Sequence, residues 1–229
     1  MLYNYPGEEL NNFENATIFR NYSYVLINNF IKSPIVEVGA GIGSFAATYI
    51  NKHKKIFLVE PDKNMLLRLK KRFKKKVHYV KNFNTIKGKF NTIIYMSVLE
   101  HIKDDTSEIK KAIKKLKFNG HLIILVPAHQ RLFSKFDKQI GHYKRYEKKY
   151  FNKKFNNAKL IQLRFVDSLG YFLYFLNKIF FKNDKNPSTL KIFIWDKFFC
   201  PFSVIIDYIL NYKIGKNIIA IYKKTSVYN

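Results

Sequence analysis

Residues 35–43 read Ile-Val-Glu-Val-Gly-Ala-Gly-Ile-Gly, and this run limits the possible folds more than any other. Ile35-Val36-Glu37-Val38 is a short strand that ends on glycines at alternate positions, Gly39, Gly41 and Gly43. Glycine takes positive φ without a Cβ penalty, so the backbone can turn sharply there and a ligand can rest against bare main chain. Two frames can be laid on the run. An acidic-x-G-x-G-x-G frame uses Glu37, Gly39, Gly41 and Gly43 and matches at every position. A dinucleotide frame, G-x-G-x-x-G/A, uses Gly41, Gly43 and Ala46, and its first glycine falls late relative to the strand end. The next apolar run, Phe57-Leu58-Val59, is followed by Glu60, 17 residues after Gly43. A carboxylate at the end of a second strand can accept both hydroxyls of a ribose, which suits either kind of adenosine cofactor.

The rest of the chain keeps the same alternation. Short apolar runs at 77–80, 90–95 and 122–126 are spaced by amphipathic stretches at 62–76 and 105–118. In the second of these, Ile109, Ala112, Ile113 and Leu116 form the buried stripe. Residues 42–50 are expected to continue the glycine turn as a helix, and residues 10–30 to form a lead-in helix. Strands alternating with helices predict an α/β fold. The expected architecture is a Rossmann-like, doubly wound parallel sheet of about seven strands, with helices on both faces. The 229 residues suit a single domain. Within it we expect a helical lead-in at 1–33, a cofactor-binding core at 34–126, a segment on the substrate side at 127–157 and an aromatic helical insertion at 168–215.

With the glycine run, Glu60 and the alternation in place, the chain resembles the class I S-adenosylmethionine-dependent methyltransferases. Ser97-Val98-Leu99-Glu100-His101-Ile102 after the fourth strand is similar to the family's V-L-E-H-I segment. The resemblance implies S-adenosylmethionine as cofactor. It places Glu37, Gly39, Ala40, Gly41 and Gly43 at the methionine half, and Glu60 with Pro61 at the ribose. Asn82 and Phe83 would lie at the adenine, with Ser97 and Val98 below the methyl group. Asn82 stands where an acidic residue is usual, and its carbonyl oxygen can still accept a hydrogen bond. Downstream, Val126-Pro127-Ala128-His129, Leu132-Phe133-Ser134 with Asp137, and Gly141-His142-Tyr143-Lys144-Arg145-Tyr146 resemble one branch of that family. This branch is associated with glycosyltransferases and with surface-glycan or lipid-linked sugar pathways.

Methyl transfer is an in-line displacement in which the protein supplies proximity and orientation. An oxygen nucleophile also needs its proton removed. His142 is the first candidate base, with Asp137 as an orienting or alternative group; His129 and His101 are rivals. Each histidine has a structural reading of equal weight, such as bonding to main chain. Lys144 and Arg145 are candidates to hold a phosphate or carboxylate of the acceptor. Asp104-Asp105 alone does not make a metal site, and no metal is expected.

The chain carries 42 Lys+Arg against 16 Asp+Glu, a formal charge of +26. Such a surplus ordinarily points to nucleic acid or an anionic membrane. The basic residues are mostly Lys amid abundant Asn, Ile, Phe and Tyr, which share A/T-rich codons, so a codon bias is as good a source of the surplus as a polyanionic partner. The turn after the fourth strand, Tyr95-Met96-Ser97-Val98, lacks the N/D-P-P-Y/F pattern of an enzyme that methylates base amines, and the single cysteine, Cys200, lies in the tail. Nucleic acid is therefore not the expected partner. The aromatics at 170–181 and 190–210 read first as a small second core. With the lysines among them they read alternatively as a surface for an anionic membrane leaflet. With no apolar leader at 1–10 and no spanning stretch, a cytoplasmic location is expected, with peripheral contact at the inner membrane face.

The expected function is methyl transfer to an oxygen or nitrogen of a small molecule, a sugar, glycan or lipid-linked intermediate. The alternatives are a nicotinamide-dependent oxidoreductase, which would use the shifted glycine frame, and a non-catalytic protein that docks at membranes.

Overall fold

The strands expected from the apolar runs form one sheet of seven in the computed structural model, which describes residues 9–152, 155–180 and 188–226. They are β1 (Ile35–Val38), β2 (Ile56–Val59), β3 (His78–Val80), β4 (Phe90–Met96), β5 (Leu116–Pro127), β6 (Ala158–Val166) and β7 (Asn217–Lys224). Their order is β3-β2-β1-β4-β5-β7-β6, so the winding reverses between β1 and β4. Ligands of open α/β sheets bind at that reversal, outside the carboxyl ends of the strands. The glycine run leaves β1 at this point.

Pairs from β3 through β5 are parallel, as expected. The last strand departs from the expectation: β7 is antiparallel to both β5 and β6, between which it lies. The sheet is therefore mixed. Ile93, Tyr95, Leu122 and Ile124 pack on one face with Ile109, Ala112 and Ile113 of a helix. Ile35, Leu58, Ile94 and Ile123 pack on the other with Tyr49, Leu69 and Phe73. Both faces are apolar, as a sheet covered on two sides requires.

Two helical expectations change. The lead-in is two helices, α1 (Glu9–Phe13) and α2 (Thr17–Ile27). Arg20 donates to the carbonyls of Phe13 and Glu14 at 3.0 and 2.7 Å, satisfying groups the break leaves open. After the glycine run there is no α-helix over 42–50, only a 3-10 turn at Ala46–Thr48. Phe45, Ala46 and Tyr49 are turned into the core there, so tertiary packing overrides the helical periodicity. The helix α3 (Lys63–Phe73) is capped by Asp62, whose Oδ1 accepts from the backbone N–H groups of Asn64 and Met65. The helix α4 (Asp105–Lys115) gives way to β5 at Leu116, short of the expected end at Phe118.

Beyond β5 come the short helices α5 (Lys135–Gln139) and α6 (Lys148–Phe151). The insertion between β6 and β7 comprises α7 (Ser168–Phe180), α8 (Thr189–Ile194), a π-turn at Trp195–Phe199 and α9 (Cys200–Ile209). The part expected at 181–187 lies outside the described residues. The widened π-turn directly precedes Pro201, which has no N–H to give to the turn before it.

The polarity of α8 to α9 is inverted. Asp196, Ser203 and Asp207 are fully buried, whereas Phe198, Phe202, Ile205 and Ile209 are 59–72% exposed, at i, i+4, i+7 and i+11. The inward polar groups are all bonded. Asp196 accepts from the N–H groups of Ile18 and Phe19 at the start of α2, at 3.1 and 2.9 Å. Asp207 accepts from Asp167 N, Ser168 N and the Tyr22 hydroxyl at 2.7–2.9 Å. The Ser203 hydroxyl donates to Asp167. The small second core expected from these aromatics does not form on this outward face.

Candidate active site

The glycine turn is pinned from both sides. Gly39 N and Ala40 N both donate to the Val59 carbonyl, at 2.9 and 3.0 Å, which ties the turn to the end of β2. Gly39, Gly41 and Gly43 all have positive φ. At Gly39 a Cβ would fall 2.5 Å from a methyl of Val98, so the turn can approach the loop after β4 only with hydrogen at that position.

Two carboxylates stand beside this turn. Glu60 is 4% exposed; its Oε2 accepts from Gly41 N at 2.7 Å and its Oε1 from Asp62 N at 2.9 Å. Burial raises its pKa, and these two N–H donors oppose the rise. Glu37 is buried on β1, where the Tyr49 hydroxyl donates to its Oε2 at 2.5 Å. Burial pushes the Glu37 carboxyl up to about 8.

A second polar cluster comes from the 3-10 turn after β4 and from the segment around α5. The Ser134 side chain caps α5 and Asp137 returns the bond, a reciprocal capping box. Asp137 is also gripped by Arg145, whose Nε reaches both oxygens at 3.0 and 3.1 Å while Nη2 reaches Oδ2 at 2.9 Å. His142 Nδ1 lies 2.8 Å from Asp137 Oδ1. Burial alone would raise the Asp137 pKa; the His142 and Arg145 contacts outweigh it and hold the carboxyl well below its ordinary value. An ionised carboxylate only accepts, so Nδ1 carries a proton, and in the neutral ring Nε2 is the nitrogen with the lone pair.

That lone pair faces Glu100. Glu100 Oε1 is 3.9 Å from His142 Nε2, and the side chain is 1% exposed. Neither Glu100 oxygen has a hydrogen-bond partner among the described residues. Burial pushes its carboxyl up to about 7. The His101 ring sits 4.5 Å from that of His142, edge to face, and burial together with that neighbour pushes its pKa down to about 4. Ligating atoms of Glu100, His101 and His142 lie within 4.8 Å of one another. Their types and mutual distances are those of a potential cation site.

Both clusters open on one cavity of about 840 Å³ at the sheet reversal. Of the residues singled out in the sequence, Glu37, Gly39, Ala40, Gly41, Glu60, Pro61, Ser97, Val98, Asp137, His101, His142 and Arg145 line it. Gly43 is not in the lining and packs against Leu69 and Phe73. Asn82 and Phe83 are not in it either. The Asn82 side chain accepts from Asn84 N, and Phe83 is buried edge-on against Tyr95. His129 bonds the Gly215 carbonyl through Nε2 at 3.0 Å and stacks on Phe165, away from the cavity. Lys144 pairs with Asp105 at 2.5 Å and is likewise outside the lining.

Three contributors escaped the sequence reading. Glu100 lies in the segment that looked like the family's, but its approach to His142 is a long-range contact. Tyr174 comes from the insertion and Lys216 is the residue before β7, and both line the cavity. Lys216 Nζ is 5.2 Å from the Tyr174 ring centre, and the Arg145 guanidinium lies 4.8 Å from the same centre.

A family model described as "Methyltransferase domain" matches residues 11–163. Among solved structures, an S-adenosylmethionine-dependent methyltransferase from Clostridium acetobutylicum superposes with a TM-score of 0.58 at 13% identity, covering 92% of each chain. N-methyltransferase NodS from Bradyrhizobium japonicum gives 0.55 at 11% identity, over 95% of this chain and 99% of that one. Phosphoethanolamine N-methyltransferase 2 of Haemonchus contortus, in complex with S-adenosyl-L-methionine, gives 0.58 at 14% identity, over 95% of this chain and 57% of that one. No curated protein sequence matches the chain.

Proposed function

The chain belongs to the methyltransferase-domain family, and from that premise we propose that it transfers a methyl group from S-adenosylmethionine to an oxygen or nitrogen of a small anionic acceptor. The observation that carries this reading is one cavity with a glycine–carboxylate cradle and a histidine dyad on its wall. The residues fit the cofactor. Gly39, Ala40 and Gly41 present main chain to the cavity, and Glu60 is held at the end of β2 by two N–H donors with lone pairs to spare. The shifted dinucleotide frame fits less well, because its Ala46 is in the buried 3-10 turn and outside the lining.

When bound, the sulfonium cofactor supplies an electrophilic methyl carbon. Glu60 and the turn would hold the adenosine, and Glu37 would stand at the methionine end. Val98 fixes the distance between the loop after β4 and the turn. His142, its tautomer set by Asp137, offers Nε2 to take a proton from an acceptor hydroxyl. Asp137 is a positioning residue, since all its capacity is committed to Arg145, His142 and Ser134. Arg145 retains a buried Nη1 with no hydrogen-bond partner among the described residues. With Lys216, which lies against the same Tyr174 ring, it would receive a phosphate or carboxylate of the acceptor. A sugar phosphate or lipid-linked sugar intermediate meets that requirement.

Calorimetric titration tests the cofactor half. S-adenosylmethionine should bind at micromolar concentration, binding should be lost in Glu60→Ala, and NADH should give no heat. Binding of NADH alone, or of neither compound, would overturn the reading.

The outward face of α8 and α9 supports an anionic bilayer as the place of action. Phe198, Phe202, Ile205 and Ile209 form an apolar stripe, and the two acids of this helix, Asp196 and Asp207, are buried. Lys191 is exposed on the same helix and also lines the cavity, so charge and apolar surface together suit acidic headgroups near the cavity mouth. Sedimentation with vesicles of phosphatidylglycerol should pull the protein down, while phosphatidylcholine vesicles should do so weakly. A Phe198→Ser/Phe202→Ser/Ile205→Ser variant should stay in solution. A concentration-dependent dimer abolished by the same variant, with no vesicle binding, would overturn the membrane assignment.

A further inference from the structure

We propose that Glu100, His101 and His142 bind a divalent transition-metal cation on the cavity wall. The inference rests on the methyl-transfer reading only for the cation's use; the site itself stands on the donor set. Glu100 is 1% exposed, with both carboxylate oxygens lacking a hydrogen-bond partner among the described residues. A buried carboxylate left in that state costs free energy unless a positive charge or a proton satisfies it. Its Oε1 points at His142 Nε2 across 3.9 Å, too far for a hydrogen bond and wide enough for an ion between them. Metal–ligand bonds to nitrogen and oxygen are about 2.0–2.2 Å, so two ligands of one ion lie from about 3.4 Å apart at a tetrahedral angle to about 4 Å when opposed, and the 3.9 Å separation falls in that span. All three ligating atoms already fall within 4.8 Å of one another.

The surroundings are those of a ligand set oriented in advance. His142 gives its Nδ1–H to Asp137, the arrangement that directs the other ring nitrogen at a metal, and Arg145 fixes Asp137 in turn. His101 is steadied by the backbone of Ile140 and Gly141, which come from the same segment as His142. Tyr143 N donates to the Glu100 carbonyl at 2.8 Å, tying the turn after β4 to that segment. Two imidazoles and one carboxylate favour a borderline cation such as Zn²⁺, Fe²⁺ or Co²⁺ over Mg²⁺ or Ca²⁺. Three protein ligands leave a coordination position for an outside group, and all three residues line the cavity. With Nε2 committed to the cation, the cation takes over from His142 the activation of the acceptor: a hydroxyl in the open position would ionise more readily, its proton passing to solvent in the cavity, and be held beside the cofactor cradle.

The test uses the full chain, stripped with a chelator and titrated with Zn²⁺, Mn²⁺ and Mg²⁺ by calorimetry, and with Co²⁺ by visible absorption. The expected result is one Zn²⁺ or Co²⁺ per chain, with Mg²⁺ much weaker. Affinity should fall in Glu100→Gln and His101→Ala. Asp137→Asn, which keeps the ligands and disturbs their orientation, should lose about 10–100-fold. S-adenosylmethionine binding, measured on the same samples, reports whether each variant is folded. Absence of stoichiometric Co²⁺ or Zn²⁺ binding would overturn the site, as would binding unchanged in Glu100→Gln and His101→Ala. If the chain binds S-adenosylmethionine and no cation, only the cation site fails. If it binds the cation and no S-adenosylmethionine, only the cofactor assignment fails.

Discussion

Single residues make the glycine turn both readable and fragile. The alternate glycines and Glu60 were legible because each answers a local backbone need, a positive φ or a strand-end carboxylate. Gly39→Ala should therefore do damage twice. Its φ of +70° is strained for an L residue, and its Cβ would press on Val98. A loss of about 1–3 kcal/mol is expected, or roughly 2–10 °C in melting temperature for a chain of this size, with weakened cofactor binding. Scanning calorimetry checks the first effect and titration the second. Glu37 makes a prediction of pH dependence. Burial raises its carboxyl from 4.5 to about 8, so folding favours the protonated form. Its contribution to stability is full below about pH 4.5 and is lost as pH rises through about 8. Glu37→Gln, which cannot ionise, should show a flatter dependence of melting temperature between pH 5 and 8.5. A variant curve parallel to wild type would refute this. Glu100 shows where local reading stops. Nothing within several residues of it discloses His142, because their approach depends on how the segment after β5 folds back.

At the scale of elements, the strands were legible from short apolar runs bounded by polar residues. What escaped depends on long-range packing: the collapse of 42–50 into a single 3-10 turn, the split of the lead-in, and the direction of β7. The inverted α9 escaped for a related reason. Phe198, Phe202, Ile205 and Ile209 look like a core stripe until the partners of Asp196, Ser203 and Asp207 are known. The contrast can be measured. Asp207→Ala removes the acceptor for two backbone N–H groups at the start of α7 and for the Tyr22 hydroxyl. Leaving those donors buried and unmet should cost about 2–4 kcal/mol in urea denaturation. Phe202→Ser, on the exposed face, should change stability by no more than about 0.5 kcal/mol.

For the whole molecule, the mixed sheet predicts where protection against hydrogen exchange will be greatest. β2, β1, β4, β5 and β7 each have a strand on both sides, whereas β3 and β6 form the edges. Backbone amides of the inner five should exchange last, near the rate set by global unfolding, and those of β3 and α1 well before them. The net charge of +26 was legible as a number, but its use was not, because a charge count does not say where the acids are buried. The structure places Asp196 and Asp207 inside, and this arrangement has a consequence for how such an enzyme can diversify. The helix is fastened by its acids and its serine, so its outward residues do little to hold it in place. They are free to be rewritten, toward bilayer, toward another protein or toward plain solubility, while the catalytic chamber beneath stays as it is. What the helix shows to its surroundings and what holds it in place are thus written on opposite sides of one element.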